Sequence, residues 1–96
     1  MSIRDIVRSR RGEVLAAAAR HGARNVRIFG SAARGEDDGR SDVDIIVSME
    51  QGRSLLDLVA LNDELEGILG RRVDVITEGG VSPYLRERIR SEALAV

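Results

Sequence analysis

Three aspartates stand where a strand-forming chain has little use for acids. Asp42 and Asp44 open the apolar run from Val43 to Met49, and Asp74 lies inside the run from Val73 to Thr77. Strands favour β-branched residues and are depleted in acids. Residues i and i+2 of a strand leave the same face. Asp42 and Asp44 therefore point together, while Val43, Ile45 and Val47 turn the other way into a core. Two carboxylates roughly 6–7 Å apart along one strand repel each other unless something positive sits between them. A hard divalent cation with oxygen ligands meets that need, and magnesium is the usual choice where phosphates complete its shell. If the Asp74 strand pairs beside this one, the three acids can hold two ions about 3.5–4 Å apart. That spacing clamps the attacking and leaving oxygens of a phosphoryl displacement.

The segment just upstream supplies a complementary half. Phe29-Gly30-Ser31 follows a β-type run and opens a short helix. Glycine there lets backbone approach a ligand closely. A helix start offers free N–H groups suited to phosphate, Ser31 adds a hydroxyl, and Arg34 follows one turn on. Alone, each element has a plainer reading. Gly-Ser is a common turn with an N-cap, Asp-x-Asp a solvated strand edge, and Asp74 an edge charge that discourages aggregation. Together, a phosphate-binding turn and a metal-binding acid pair are what a nucleoside triphosphate requires.

Those residues must be positioned by a small frame. The chain has 96 residues, which predicts one domain spanning 1–96 and no second lobe. There is no cysteine, so disulfides, thiolate zinc sites and thiol nucleophiles are excluded. His21 is the one histidine, and Phe29 and Tyr84 are the whole aromatic set. Base-stacking nucleic-acid readers need more aromatics than that. Fifteen arginines face sixteen acids for a net charge of −1, which disfavours a general phosphate-backbone binder. No apolar stretch is long enough to span a bilayer and no signal-peptide pattern opens the chain, so a cytoplasmic location is expected.

The periodicities predict the order α-β-(α)-β-α-β-α. Ser2 to about Gly22 reads as helix, interrupted around Arg8, Arg10, Arg11 and Gly12. Val26 to Phe29 is a short strand, and the stretch from Ser31 to Ser41 holds a short helix and then a loop carrying Glu36, Asp37 and Asp38. Val43 to Met49 is the strongest strand. Ser54 to Leu69 is the clearest helix, with Ser54 and Asp57 at capping-box spacing and Gly70 at its stop. Val73 to Thr77 is the third strand. Ser82 and Pro83 start a last helix whose apolar stripe is Leu85, Ile89 and Leu94. The expected fold class is α+β, a small mixed β-sheet packed with helices.

Gly30-Ser31-Ala32-Ala33-Arg34-Gly35 followed by Ser41-Asp42-Val43-Asp44 resembles the signature of the minimal nucleotidyltransferase family, within the DNA polymerase β-like superfamily. The likeness covers nearly the whole chain, Asp74 fits the family's third acid, and Leu85 to Ala93, with Ile89 and Glu92, looks like its closing helix. The resemblance implies a polymerase β palm-like fold. It implies that Gly30 and Ser31 hold a triphosphate, with Arg34 either neutralising its charge or pairing with a nearby acid, and with Ser41 at the nucleotide site as a cap that orients the acid-bearing strand. It implies that Asp42, Asp44 and Asp74 bind two magnesium ions, with Asp74 helping to activate the acceptor hydroxyl. It further implies an antitoxin that transfers AMP from ATP to a side chain, typically a tyrosine, of a HEPN-domain RNase toxin encoded nearby. Larger superfamily members carry helical acceptor domains, so here a partner or a second copy of the chain would supply the acceptor site. The alternatives are a non-catalytic antitoxin acting by contact and a small-molecule nucleotidyltransferase.

The remaining features have plainer expectations. His21 ends a helix, where a partly charged imidazole suits the dipole. Arg8, Arg10 and Arg11, and the row Arg86, Arg88 and Arg90, read first as solvated faces and second as docking points for an acidic partner or RNA. Tyr84 is expected to anchor the last helix.

Overall fold

The computed structural model of the chain describes residues 2–35 and 42–96. The first helical stretch breaks where the arginine-rich segment predicts. α1 (Ile3–Ser9) ends at Arg10, whose backbone leaves the helical region, and α2 (Arg11–Arg20) begins at once. β1 (Ala23–Phe29) starts three residues earlier than its apolar run suggests. A single turn, α3 (Ser31–Arg34), follows Gly30. The acids 36–38 and Ser41 lie outside the described residues.

β2 (Val43–Met49), α4 (Leu55–Leu69) and β3 (Val73–Thr77) follow as read. The start of α4 carries the expected reciprocal cap: the Ser54 N–H donates to Asp57 Oδ2 at 2.9 Å, and the Leu56 N–H donates to Ser54 Oγ at 3.2 Å. Gly70 stops the helix in the left-handed region, at φ 67°. A 3₁₀ turn (Glu78–Gly80) leads to α5 (Pro83–Glu92), capped by Ser82.

One element departs from expectation. Leu94 does not continue the last helix. Ala93 turns extended, and Leu94–Ala95 form β4 along the outer edge of β1. The sheet order is β3-β2-β1-β4, with β2 and β3 parallel and β1 antiparallel to both of its neighbours. Parallel pairing needs a long crossover, and α4 provides it.

The alternation of β2 divides the molecule. Val43, Ile45 and Val47 are fully buried with Val26, Ile28, Val73 and Val75, under Val14, Ala17 and Ala18 of α2 and Leu61, Leu65 and Leu69 of α4. The other face carries Asp44, Ile46 and Ser48. Ile46 and Ile89 are buried outside the main core. Arg86 and Arg90 line a cleft with Ser48 and Glu78, so α5 lies across this second face.

Two ends are fastened by charge. His21 Nε2 meets Glu64 Oε2 at 2.7 Å, and Arg20 pairs with the same carboxylate, joining α2 to α4. Arg20 first and His21 second hold the Glu64 carboxyl below its ordinary range. His21 thus caps α2, as expected, and also ties it to a neighbour. Tyr84 is 81% exposed and anchors nothing, because α5 turns Ile89 rather than its first turn toward the sheet. Arg8, Arg10 and Arg11 and Arg86, Arg88 and Arg90 are all exposed, as solvated faces. Among the described residues no helix is long and apolar enough to cross a membrane.

Candidate active site

The site is assembled by strand register. β1 contains a one-residue bulge: Arg24 pairs with Ser48, but Arg27 pairs with Ile46. Asn25 absorbs the extra residue at φ 56°, a left-handed conformation that asparagine tolerates better than most side chains. Carried without the bulge, the pairing at Arg24 would set Phe29 against Val43. With it, Phe29 pairs with Asp44. The turn after Phe29 is thereby laid against the acid-bearing end of β2.

Parallel pairing supplies the third acid. Asp44 and Asp74 are direct register partners across β2 and β3. Neighbouring strands run about 4.8 Å apart, and register partners project to the same face. Asp42 precedes β2 and is exposed, whereas Asp44 is partly buried. Burial first, then the negative charges of Asp74 and Asp42, push the Asp44 carboxyl above its ordinary range. A cation between these groups would relieve that strain. The donor set is all oxygen, as a hard divalent ion requires. Among the described residues no three side chains already close on a single point as a ready-made shell.

Gly30 forms the other wall. It adopts φ 76°, and a Cβ built on it would stand 2.6 Å from Asp44 Oδ2. A side chain there is strained by conformation, and its Cβ would force the Asp44 carboxylate to move. The Arg34 N–H donates to the Gly30 carbonyl at 3.2 Å, which closes the turn of α3. α3 is one turn long, so its helix dipole is small.

The structure thus brings Gly30, Asp44 and Asp74 together and sets Asp42 beside them. Arg34 hangs from the same turn, with its Nη1 3.6 Å from Glu92 Oε2. Ser41 falls outside the described residues.

Sequence reasoning missed Asn62 and Glu66. Asp74 sits on an edge strand, and the amides on either side of it are held from α4. The Val73 N–H donates to Glu66 Oε2 at 2.9 Å, and the Val75 N–H donates to Asn62 Oδ1 at 3.0 Å. Their i, i+4 spacing was visible. Its target was not, because a helix face says nothing about which strand edge it will meet.

A left-handed glycine turn packed against carboxylates on paired strands is the arrangement that the resemblance to nucleotidyltransferases calls for. The nucleotidyltransferase domain family matches residues 2–96, and the chain belongs to that family. It is a nucleotidyltransferase. A protein of Methanocaldococcus jannaschii named "Putative protein adenylyltransferase MJ0435" is 49% identical over 77 residues, 80% of this chain and 83% of that protein. The protein adenylyltransferase MntA of Thermococcus cleftensis is 38% identical over 77 residues, 80% of this chain and 78% of its own. A solved structure described as a "putative minimal nucleotidyltransferase" superimposes with a TM-score of 0.89 at 49% identity, covering 100% of this chain and 97% of that one. More distantly, a toxin–antitoxin crystal structure with AMP-PNP shares the fold, with a TM-score of 0.75 at 19% identity over 88% of this chain and 69% of that one. The MntA–HepT toxin–antitoxin structure does likewise, at 0.68 and 16% over 91% and 68%.

Proposed function

We propose that this chain is a magnesium-dependent protein adenylyltransferase acting as an antitoxin. It moves AMP from ATP to a side-chain hydroxyl, a tyrosine by preference, of a HEPN-domain RNase toxin. The observation that carries the reading is the pairing of Asp44 with Asp74 beside the left-handed Gly30. The relatives named as adenylyltransferases support the chemistry.

In this reading residues 1–96 act as one catalytic domain. Gly30 and Ser31 receive the triphosphate through backbone N–H groups and a hydroxyl, with Arg34 and Ser41 at its margin. Asp42, Asp44 and Asp74 hold two magnesium ions, which neutralise the phosphates and stabilise charge on the attacking and leaving oxygens when bound. Asp74 helps to activate the acceptor hydroxyl, taking its proton as general base or acting through the metal. The acceptor oxygen forms a bond to the α-phosphorus, the bond from that phosphorus to the bridging oxygen breaks, and pyrophosphate leaves. Positioning and electrostatics supply most of the rate.

The test is transfer of label from α-labelled ATP, with magnesium, to the product of the neighbouring gene. Label on that protein, abolished in Asp42→Ala/Asp44→Ala, is the expected result. Neutralisation of the partner by the double variant with no label ever transferred would overturn the enzymatic reading in favour of inhibition by contact. Efficient turnover on a small hydroxyl compound, without any protein acceptor, would redirect it to a small-molecule transferase.

A further inference from the structure

Two arginines of α1, Arg4 and Arg8, stand one turn apart with no acid opposite them. Both are exposed, and among the described residues no side-chain carboxylate forms an ion pair with either. Asp5 is held below its ordinary range chiefly by hydrogen bonds with Ser2, and only weakly by Arg8. Like charges at i, i+4 of a helix repel and destabilise it. Arg10, by contrast, is paired with Glu13 at 3.1 Å.

Arg4 and Arg8 line one cleft of about 390 Å³ between α1 and β4, with Val7, Ile28 and Leu94 as its apolar lining. Arg11, at the start of α2, lines it too, and its Nε donates to the Val96 main-chain oxygen at 3.2 Å. Arg4 reaches toward the candidate active site. A Cβ built on Gly35, directly after α3, would stand 3.6 Å from Arg4 Nη1. The cleft is thus concave, apolar within and cationic, and one of its arginines borders the end of the motif that begins at Gly30.

We infer that this cleft docks an acidic segment of the protein partner, with carboxylates on Arg4 and Arg8 and an apolar side chain over Val7 and Leu94. Charge complementarity selects the acid, and guanidinium forks bind carboxylates by paired hydrogen bonds. An occupant of this kind relieves the repulsion between the two arginines. The lining selects polypeptide over nucleic acid. No aromatic ring lines the cleft for a base to stack on, and a chain of net charge −1 is poorly suited to a phosphate backbone. A partner seated here lies beside the candidate active site, where an acceptor side chain must arrive. The inference rests on the reading that this chain acts on a protein partner.

The experiment is calorimetric affinity of the full chain for the product of the neighbouring gene, at low and at high salt. Arg4→Ala/Arg8→Ala is expected to weaken the complex about 5–20-fold at low salt and to flatten its salt dependence. Its circular dichroism should match wild type, since alanine suits exposed helical positions. Arg10→Ala, which removes a charge outside the cleft, should stay within about twofold of wild type. Wild-type affinity in the double variant, or an equal loss in Arg10→Ala, would overturn the inference while leaving the partner reading standing. A double variant that keeps the protein and loses a single-stranded RNA oligonucleotide bound by wild type would reassign the cleft to phosphate backbone. A wild-type chain that forms no complex with that gene product, by calorimetry or by cross-linking, would overturn the partner reading and the inference with it.

Discussion

Gly30 and Asp44 are packed so closely that the missing side chain of one makes room for the carboxylate of the other. A Cβ on Gly30 would lie 2.6 Å from Asp44 Oδ2. The Gly30 turn and the Asp44 carboxylate are therefore one steric unit.

Gly30→Ala should expose that unity. An L side chain at φ 76° costs about 1–2 kcal/mol by conformation alone. The new methyl also drives Asp44 aside, and a displacement of roughly 1 Å at a reacting centre costs about 100-fold. The expected outcome is a fall of that order in kcat/KM for nucleotidyl transfer, with a folded circular dichroism spectrum. Wild-type turnover in the variant would refute the packing argument.

Asp44→Asn should separate stability from activity. The Asp44 carboxyl is raised by burial, Asp74 and Asp42, so the folded chain holds that proton more tightly than the unfolded one. Stability contributed there is present at acid pH and is lost as pH rises through the raised value. The amide removes that loss. In magnesium-free buffer at pH 7 the variant should melt a few degrees above wild type, since 1 kcal/mol corresponds to about 4–8 °C in a domain of this size. The gap should close at acid pH, below the ordinary aspartate range, where the Asp44 carboxyl is protonated in both the folded and the unfolded chain. Transfer activity should disappear. A variant that melts lower at pH 7 and higher in acid would reverse the sign and refute the electrostatic reading.

Asn62→Ala should act on Asp74 from a distance. The Val75 N–H loses its acceptor, at about 1–3 kcal/mol for a half-buried donor. Amide exchange at Val75 is expected to accelerate, and kcat to fall several-fold with AMP-PNP affinity within about twofold of wild type. Unchanged exchange at that amide would show that α4 does not hold the edge.

Ile89→Ala and Tyr84→Ala test how α5 is attached. Ile89 is 2% exposed, and its truncation should cost about 2–5 kcal/mol. Tyr84, at 81% exposed, should stay within about 0.5 kcal/mol of wild type. Chemical denaturation of both variants settles it; equal losses would mean that the first turn of α5 is buried in solution.

Much of the frame was legible because local physics wrote it. The Ser54–Asp57 cap, the Gly70 stop, the break near Arg10 and the alternation of Val43, Ile45 and Val47 each depend on neighbours within a few residues. β4 was not legible, since two residues carry no periodicity and Leu94 suited the helical stripe equally well. The Asn25 bulge was equally silent, because a bulge is a relation between two strands and leaves no pattern in one.

The sequence by itself determined which groups could do chemistry: Gly30-Ser31, Asp42 with Asp44, and Asp74, chosen by type and spacing. Only the tertiary structure decided that Asp74 would pair with Asp44, that Gly30 would press against the same carboxylate, and that Glu92 would reach Arg34. Each of those contacts joins elements far apart in the chain. Strand pairing and helix packing settle such contacts through the burial of a shared core, and no residue records them alone.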